Sequence, residues 1–377
     1  MFLSEAERSE TLWACRFCMM CHVADRVAAV LRRESYTPRG RAAVLWALEK
    51  GLLDWNADAA DLVYTAVNDG LLERWCVGKY PYEELIVDAR ARFFRLGAVP
   101  EEIRRRVEDL HAGREMGPSP AAILGDAGVA MDPEAPRILF AGCTSRRRFP
   151  ETLIRLGRLF NAAGVPFRVL EEEPCCGWPL YQLGDFDGAG AFSRRIAQML
   201  RRAAAREVVA MDADCLRMFT TRTVRFGGDV TGITFRHAVE ALADWLKDGK
   251  LVVRRPLPGP VTYHDPCALA RYRATIEPPR DILRRVVAGE IREMEESGAN
   301  APCCGAGGML ADYKPEVAGE LAAWRLREAA ETGARILATA CTRCDEMFRA
   351  GREANAALPP LEVVNVIDLV ARAVAIA

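Results

Sequence analysis

Thirteen of the 377 residues are cysteine. An odd number cannot all pair as disulfides, and the spacing sorts these residues into three groups. The first is Cys15, Cys18 and Cys21 in "CRFCMMC", with Cys76 farther on. C-x2-C-x2-C is the ligand run of a 4Fe–4S cubane, and in two-cluster ferredoxins a fourth cysteine four residues on serves the other cluster. That position is Asp25 here. Counting back from Cys76, a second run would need cysteines at positions held by Ala66, Asp69 and Leu72, while Tyr64 and Gly70 are residues such motifs often carry. The pattern reads as a two-cluster domain reduced to one cubane, with Cys76 as fourth ligand and Asp25 marking the lost cluster. Zinc held by the same four thiolates is the competing reading. His22, beside Cys21, reads as a local hydrogen-bonding residue rather than a ligand.

The last group is Cys267, Cys303, Cys304, Cys341 and Cys344. Adjacent cysteines strain a mutual disulfide, and five thiolates exceed what one tetrahedral zinc needs. They suit a multinuclear iron–sulfur assembly. The glycines of "APCCGAGG" (301–308) would let backbone approach closely and aim N–H groups at sulfur. The middle group is Cys143, Cys175, Cys176 and Cys215, with Asp212 where the later copy has Cys341. Three readings stay open for it: a cluster on four thiolates, a cluster with a carboxylate ligand, or no cluster.

These groups need elements to hold them. Residues 1–112 carry apolar residues at helical spacing, as in "DRVAAVLRRES" and "EEIRRRVEDLHAG". The Gly- and Pro-rich segment 113–136 reads as a linker. Short apolar runs then alternate with helical stretches. Strands are expected at 137–143, 166–172, 207–215, 260–267 and 335–344, and helices at 149–164, 192–204, 279–286 and 316–333. Each half ends in a short strand and an amphipathic helix, at 232–249 and 361–377. Such alternation points to parallel α/β layers. The cysteine pattern recurs after about 128 residues, a duplicated domain spanning 137–250 and 258–377.

Composition excludes several classes. Half the residues are hydrophobic and the formal net charge is −1, so no global field draws nucleic acid or anionic membrane. The arginine runs "TSRRRFP" (144–150) and "MLRRAAARE" (199–207) read as solvated faces. The start, "MFLSEAERSE", has neither a basic flank nor an apolar signal core. A soluble cytoplasmic protein with reduced thiols is expected, peripheral on the inner face of the membrane only through partner subunits. "GAGGML" (305–310) follows the cysteine pair rather than a clean strand, so it does not read as a dinucleotide fingerprint. His264 in "YHDPC" is a candidate hydrogen-bond donor or proton relay beside a ligand, and Asp265 a candidate helix cap.

"CRFCMMC", "YTPRGR" (36–41), "YHDPC" (263–267), "APCCGAGG" and "CTRC" (341–344) together resemble the CCG-domain iron–sulfur superfamily. It includes the B- and D-type subunits of heterodisulfide reductase and the iron–sulfur subunits of glycolate oxidase, anaerobic glycerol-3-phosphate dehydrogenase and lactate oxidation. The resemblance implies an α+β multidomain fold, with a helical ferredoxin-like N-terminal domain before two tandem, pseudo-symmetric α/β CCG domains with small parallel sheets. It also implies a non-cubane 4Fe–4S cluster on each complete five-cysteine set. That transfers to Cys267, Cys303, Cys304, Cys341 and Cys344, whereas Asp212 breaks the pattern at Cys143, Cys175, Cys176 and Cys215. The implied function is an electron-transfer subunit linking a flavin dehydrogenase to quinone, cytochrome b or another carrier. A disulfide reductase using the five-thiolate set is the alternative, and a zinc-stabilised scaffold is the reading from another class.

Overall fold

The computed structural model describes residues 3–15, 18–79, 81–354 and 360–376. Its first part is helical, as the periodicity predicts: α1 (Glu5–Ala14), α2 (Arg26–Leu31), α3 (Pro38–Glu49), α4 (Ala57–Tyr64), α5 (Leu71–Trp75), α6 (Tyr82–Leu96) and α7 (Glu101–His111). Local chemistry sets the starts. Ser4 and Glu7 form a capping box on α1, Thr37 caps α3 just before Pro38, and Asn56 caps α4.

The segment 113–136 is not a bare connector. It forms a helix, α8 (Pro120–Asp126), whose Leu124 is fully buried beside Gly157. A Cβ on Gly157 would lie 2.8 Å from Val129 and 3.0 Å from Leu124, so the glycine is what admits this segment to the core.

Two three-stranded parallel sheets follow. The first has order β1 (Arg137–Phe140), β2 (Glu207–Ala210), β3 (Thr234–His237), in register Arg137↔Glu207↔Thr234. Its helices are α9 (Cys143–Arg148), α10 (Pro150–Ala162), α11 (Trp178–Leu183), α12 (Phe186–Arg202), α13 (Ala213–Thr221) and α14 (Ala238–Lys247). The second has order β4 (Val261–His264), β5 (Ile336–Thr339), β6 (Glu362–Asn365), in register Val261↔Ile336↔Glu362. Its helices are α15 (Cys267–Ala270), α16 (Glu277–Val286), α17 (Leu310–Tyr313), α18 (Pro315–Glu331), α19 (Thr342–Ala354) and α20 (Val366–Val374). Helices cover both faces, so the central strands are mostly apolar and are buried from Val208 to Ala210 and from Ile336 to Thr339. The two units meet where α14 packs on α16 and α10 on α20. There Asp368 accepts hydrogen bonds from Thr152 and Arg155 at 3.0 and 3.1 Å.

Three expectations differ. The strand at 166–172 is a single bridge, Ile138↔Arg168. Beyond it the chain turns back, and the buried Glu173 carboxylate accepts from the amides of Ala141 and Gly142 at 2.9 and 2.8 Å. Arg146, expected on a solvated face, is buried, donating to the carbonyl oxygens of Glu173 and Pro118 at 2.9 and 3.2 Å. Asp265 caps nothing. It holds the Arg280 guanidinium through two 2.8 Å bonds and accepts from Gly298 N at 2.7 Å. A buried charge pair outweighs one cap bond on the four-residue α15, whose N-cap is Pro266. No helix among the described residues is long and apolar enough to cross a membrane.

The three parts meet at Arg90 of α6, which is fully buried. Its guanidinium donates to the carbonyl oxygens of Val63, Tyr64 and Ala66 in the helical part, of Gln182 in the first α/β unit, and of Gly308 in the second. No carboxylate is among these partners, and burial pulls its pKa down to about 10. Arg90→Met removes the guanidinium donors from five carbonyls, and is expected to cost on the order of 3 kcal/mol or more in urea unfolding.

A second buried group makes stability pH-dependent. His237 ends β3, and its Nδ1 accepts from Val239 N at 3.3 Å, capping α14. Burial lowers its pKa to about 4, against the opposing charge of Glu240. The unfolded chain therefore takes up a proton near the ordinary histidine value of about 6.5 that the folded chain refuses. This stabilisation is complete above that value and is lost as pH falls toward 4. Between about pH 7 and pH 5 the wild type is expected to lose roughly 2 kcal/mol more than His237→Asn, measured by urea unfolding of both proteins.

Candidate metal centres

Cys15, Cys18, Cys21 and Cys76 line one small cavity, although 54 residues separate the third from the fourth. Cys15 caps the C-terminus of α1, Cys18 precedes the turn Met19–Val23, Cys21 lies within it, and Cys76 caps α5. Burial raises the Cys21 thiol pKa, against the pull of Arg39. Of the thirteen cysteines, Cys18 alone is exposed. His22 lies 2.9 Å from Glu34, a local pairing as expected.

The positions read as a lost second ligand set also converge. Asp25, Asp69 and Leu72 line a neighbouring cavity, and Ala66 adjoins Val67 on its wall. Asp25 caps α2 through Val27 N at 2.8 Å and pairs with the fully buried Arg41. Arg41 also donates to Leu62 O at 2.7 Å, to Tyr82 Oη at 3.3 Å and to Thr65 Oγ1 at 3.4 Å. Asp69 is held by Arg271 of the second α/β unit at 3.0 Å. An ion-pair network thus occupies the ground of the missing thiolates.

In the first α/β unit, Cys143 opens α9 just after β1, Cys175 and Cys176 precede Gly177, and Cys215 lies in the first turn of α13. The thiols touch in series: Cys143 with Cys175, Cys175 with Cys176, and Cys176 with Cys215. Hydrogen bonding to Cys175 and burial push Cys143 far above the ordinary thiol range, and burial does the same to Cys176. Asp212 is the N-cap of α13. Its Oδ1 accepts from Asp214 N and Cys215 N at 2.9 and 3.2 Å, and its Oδ2 accepts from Thr342 Oγ1 of the second unit. Both carboxylate oxygens are committed.

In the second unit, Cys267 opens α15 after β4, and Cys341 and Cys344 bracket the start of α19. Cys303 contacts Cys304, which contacts Cys344, which contacts Cys341. Gly305 N and Gly307 N each donate to Cys303 Sγ at 3.3 Å, the role expected of the glycines. Gly177 N donates likewise to Cys175 Sγ at 3.4 Å. Gly308 has φ +59°, and a Cβ there would meet Ala66 O at 2.1 Å, so the loop seats directly on the helical part. His264 ends β4, fully buried, with its ring donor atom and the sulfurs of Cys304 and Cys344 within 4.8 Å of one another. Burial holds its pKa below the ordinary value, and hydrogen bonds from Cys303, Cys344 and His264 hold Cys304 low.

Sequence reading took Arg147 for part of a solvated face and passed over the other arginines between these centres. Arg106, Arg147 and Arg343 line both a surface cavity of about 690 Å³ and the smaller cavity that contains Cys143, Cys176 and Cys215. Arg217 sits 3.2 Å over the Tyr272 ring, and both groups bond Glu83. Their partners are remote in sequence, so no local pattern marks them. The donor chemistry of the three thiol sets, with N–H groups aimed at sulfur, fits iron–sulfur groups.

Comparison with known proteins agrees. The cysteine-rich CCG domain matches twice, over residues 138–220 and 261–349. The D-type subunit of the dihydromethanophenazine:CoB–CoM heterodisulfide reductase of Methanosarcina barkeri is 31% identical over 249 residues, covering 65% of this chain and 60% of that one. The B-type subunit of the CoM/CoB fumarate reductase of Methanothermobacter marburgensis is 27% identical, over 76% of this chain and 56% of its own. The EtfAB:quinone oxidoreductase of Syntrophomonas wolfei is 29% identical, over 45% and 24%. The chain spans about three fifths of the length of the heterodisulfide reductase subunits it matches. The chain thus carries two cysteine-rich CCG domains in tandem and is similar to the iron–sulfur proteins of the CCG superfamily.

Proposed function

We propose that the chain is an iron–sulfur electron-transfer subunit of a multi-subunit redox complex, working between a flavoprotein dehydrogenase and quinone, cytochrome b or another carrier. The supporting observation is the graded exposure of its thiols: Cys18 reaches the surface, while most cysteines of the α/β units are buried and none is exposed. Residues 1–112 are read as a ferredoxin-like domain with one cubane on Cys15, Cys18, Cys21 and Cys76. Residues 258–377 are the second CCG domain, with Cys267, Cys303, Cys304, Cys341 and Cys344 holding a non-cubane 4Fe–4S group. Residues 137–250 are the degenerate first copy. Iron–sulfur groups supply one-electron storage and transfer when bound. The chain's own residues bury the thiols, donate N–H groups to Cys303 and Cys175, and fix the spacing through Arg90. Cytoplasmic location, with membrane contact through partner subunits, follows from this reading.

A second reading, disulfide reduction at the five-thiolate set, is favoured by one observation: the arginine-lined surface cavity is lined by Arg343, which stands between Cys341 and Cys344 of that set. Anaerobic purification tests both readings. About eight irons per chain are expected, or about twelve if the first CCG copy is loaded. Cys76→Ser should abolish the cubane EPR signal. Electron uptake only with an added flavoprotein supports the first reading, and disulfide reduction by the isolated reduced chain supports the second. Stoichiometric zinc without iron would leave only a structural scaffold.

Asp212 separates two forms of the first copy. With both oxygens engaged as a cap and as a Thr342 acceptor, Asp212→Ala is expected to cost about 1–2 kcal/mol of stability and to leave iron content unchanged. A matching loss of iron would make Asp212 a ligand.

A further inference from the structure

Arg325 of α18 is fully buried and approaches the second thiol set from behind His264. Its Nε donates to His264 Nδ1 at 3.3 Å. Two more bonds aim it: Nη1 to Glu328 Oε2 at 2.6 Å and Nη2 to Glu296 O at 2.7 Å. The Phe348 ring stands edge-on to the imidazole at 4.8 Å and fixes its plane. On its other side His264 faces the thiol set, with a ring nitrogen within 4.8 Å of the Cys304 and Cys344 sulfurs.

A guanidinium has only donors, so the contact with Arg325 consumes the Nδ1 lone pair. A neutral imidazole then carries its single proton on Nε2, and that nitrogen has no lone pair to give a metal. Of the two roles open to a histidine among thiolates, ligand and hydrogen-bond donor, only the second remains.

We infer that Arg325 is a positioning residue for the second thiol set: it fixes the His264 tautomer so that Nε2–H donates to the Cys304 sulfur and His264 does not ligate metal. This rests on the reading that Cys267, Cys303, Cys304, Cys341 and Cys344 hold an iron–sulfur group. A hydrogen bond to a ligating sulfur favours the reduced, more negative state, so the pair shifts the potential of this centre upward. The outer end of this hydrogen-bond network lies in the helical domain, where Arg26 of α2 donates to Glu328 Oε1 at 2.6 Å. Docking of that domain therefore helps hold Arg325 in place.

The test uses the anaerobically purified full chain with Arg325→Met, Arg325→Lys, His264→Phe and the Arg325→Met/His264→Phe double variant. Iron and sulfide content, EPR-monitored midpoint potentials and the histidine ¹⁵N tautomer pattern are measured. In the wild type His264 is expected as the Nε2–H form. Arg325→Met should retain iron, lose that tautomer preference and move the midpoint of the C-terminal centre negative. Arg325→Lys, which keeps a donor and should fold where Met does not, is expected to fall between. His264→Phe should retain iron and shift the midpoint at least as far, and the double variant no farther. Loss of iron in His264→Phe, an unchanged potential in Arg325→Met with His264 still present, or additive shifts in the double variant would overturn the inference. A wild type without iron at this set defeats the electron-transfer reading instead, and there the tautomer pattern still decides the role of Arg325.

Discussion

One buried guanidinium constrains the whole molecule. Arg90 takes a full charge out of water and hydrogen-bonds carbonyl oxygens, drawn from the helical part and from both α/β units. Burying such a charge is costly unless every donor is used, and these donors are used only when the three parts sit in one arrangement. Gly184 and Gly308 allow it: a Cβ on Gly184 would lie 2.5 Å from the Arg90 backbone, and one on Gly308 would strike Ala66 O. The spacing between thiol sets is fixed by polar bonds at the junction rather than by an apolar interface alone.

Around that junction the duplication is close but not symmetric. Both units cap their closing helix with the last strand residue, His237 in one and Asn365 in the other. Both aim a glycine N–H at the first sulfur of the cysteine pair. They part where the ligand sets differ. Asp212 stands in the place of Cys341 and turns its carboxylate to the α13 amides and to Thr342, the residue after Cys341. The missing thiolate has become a hydrogen bond between the repeats. In the helical domain the same exchange recurs, with Asp25 and Arg41 filling ground that a second cubane would need. In each case a carboxylate stands where the cysteine pattern would place a thiol, and it holds backbone amides instead.

Much of the site was legible because metal-ligand chemistry is written in residue type and short spacing. "CRFCMMC" and "CTRC" place thiols within one turn, and the glycines of "CCGAGG" announce close backbone approach. Cys76 could be joined to Cys15 only by a pattern argument, and the cavity they share supports that pairing. The alternation of apolar strands and amphipathic helices was equally readable, because it repeats a local period. Where it failed, at 166–172, a distant group intervened: the Glu173 carboxylate takes the amides at the end of β1. Asp265 misled for the same reason, since Arg280 offers more than a one-turn helix can.

By itself, then, the sequence determined the thiol spacing, the duplicated α/β pattern and the carboxylates Asp25 and Asp212 where the cysteine pattern would place thiols, all properties of residue identity and near spacing. The tertiary structure alone decided which charges are buried and what they hold. Arg90, Arg325 and Arg217 look like any surface arginine in a chain with 51 basic residues, and nothing local sets them apart. Their partners are backbone carbonyls, one imidazole nitrogen and the carboxylates of Glu83 and Glu328, most of them brought within reach only when distant segments pack. A guanidinium has five donors and a long stem, so its role is fixed by what surrounds it.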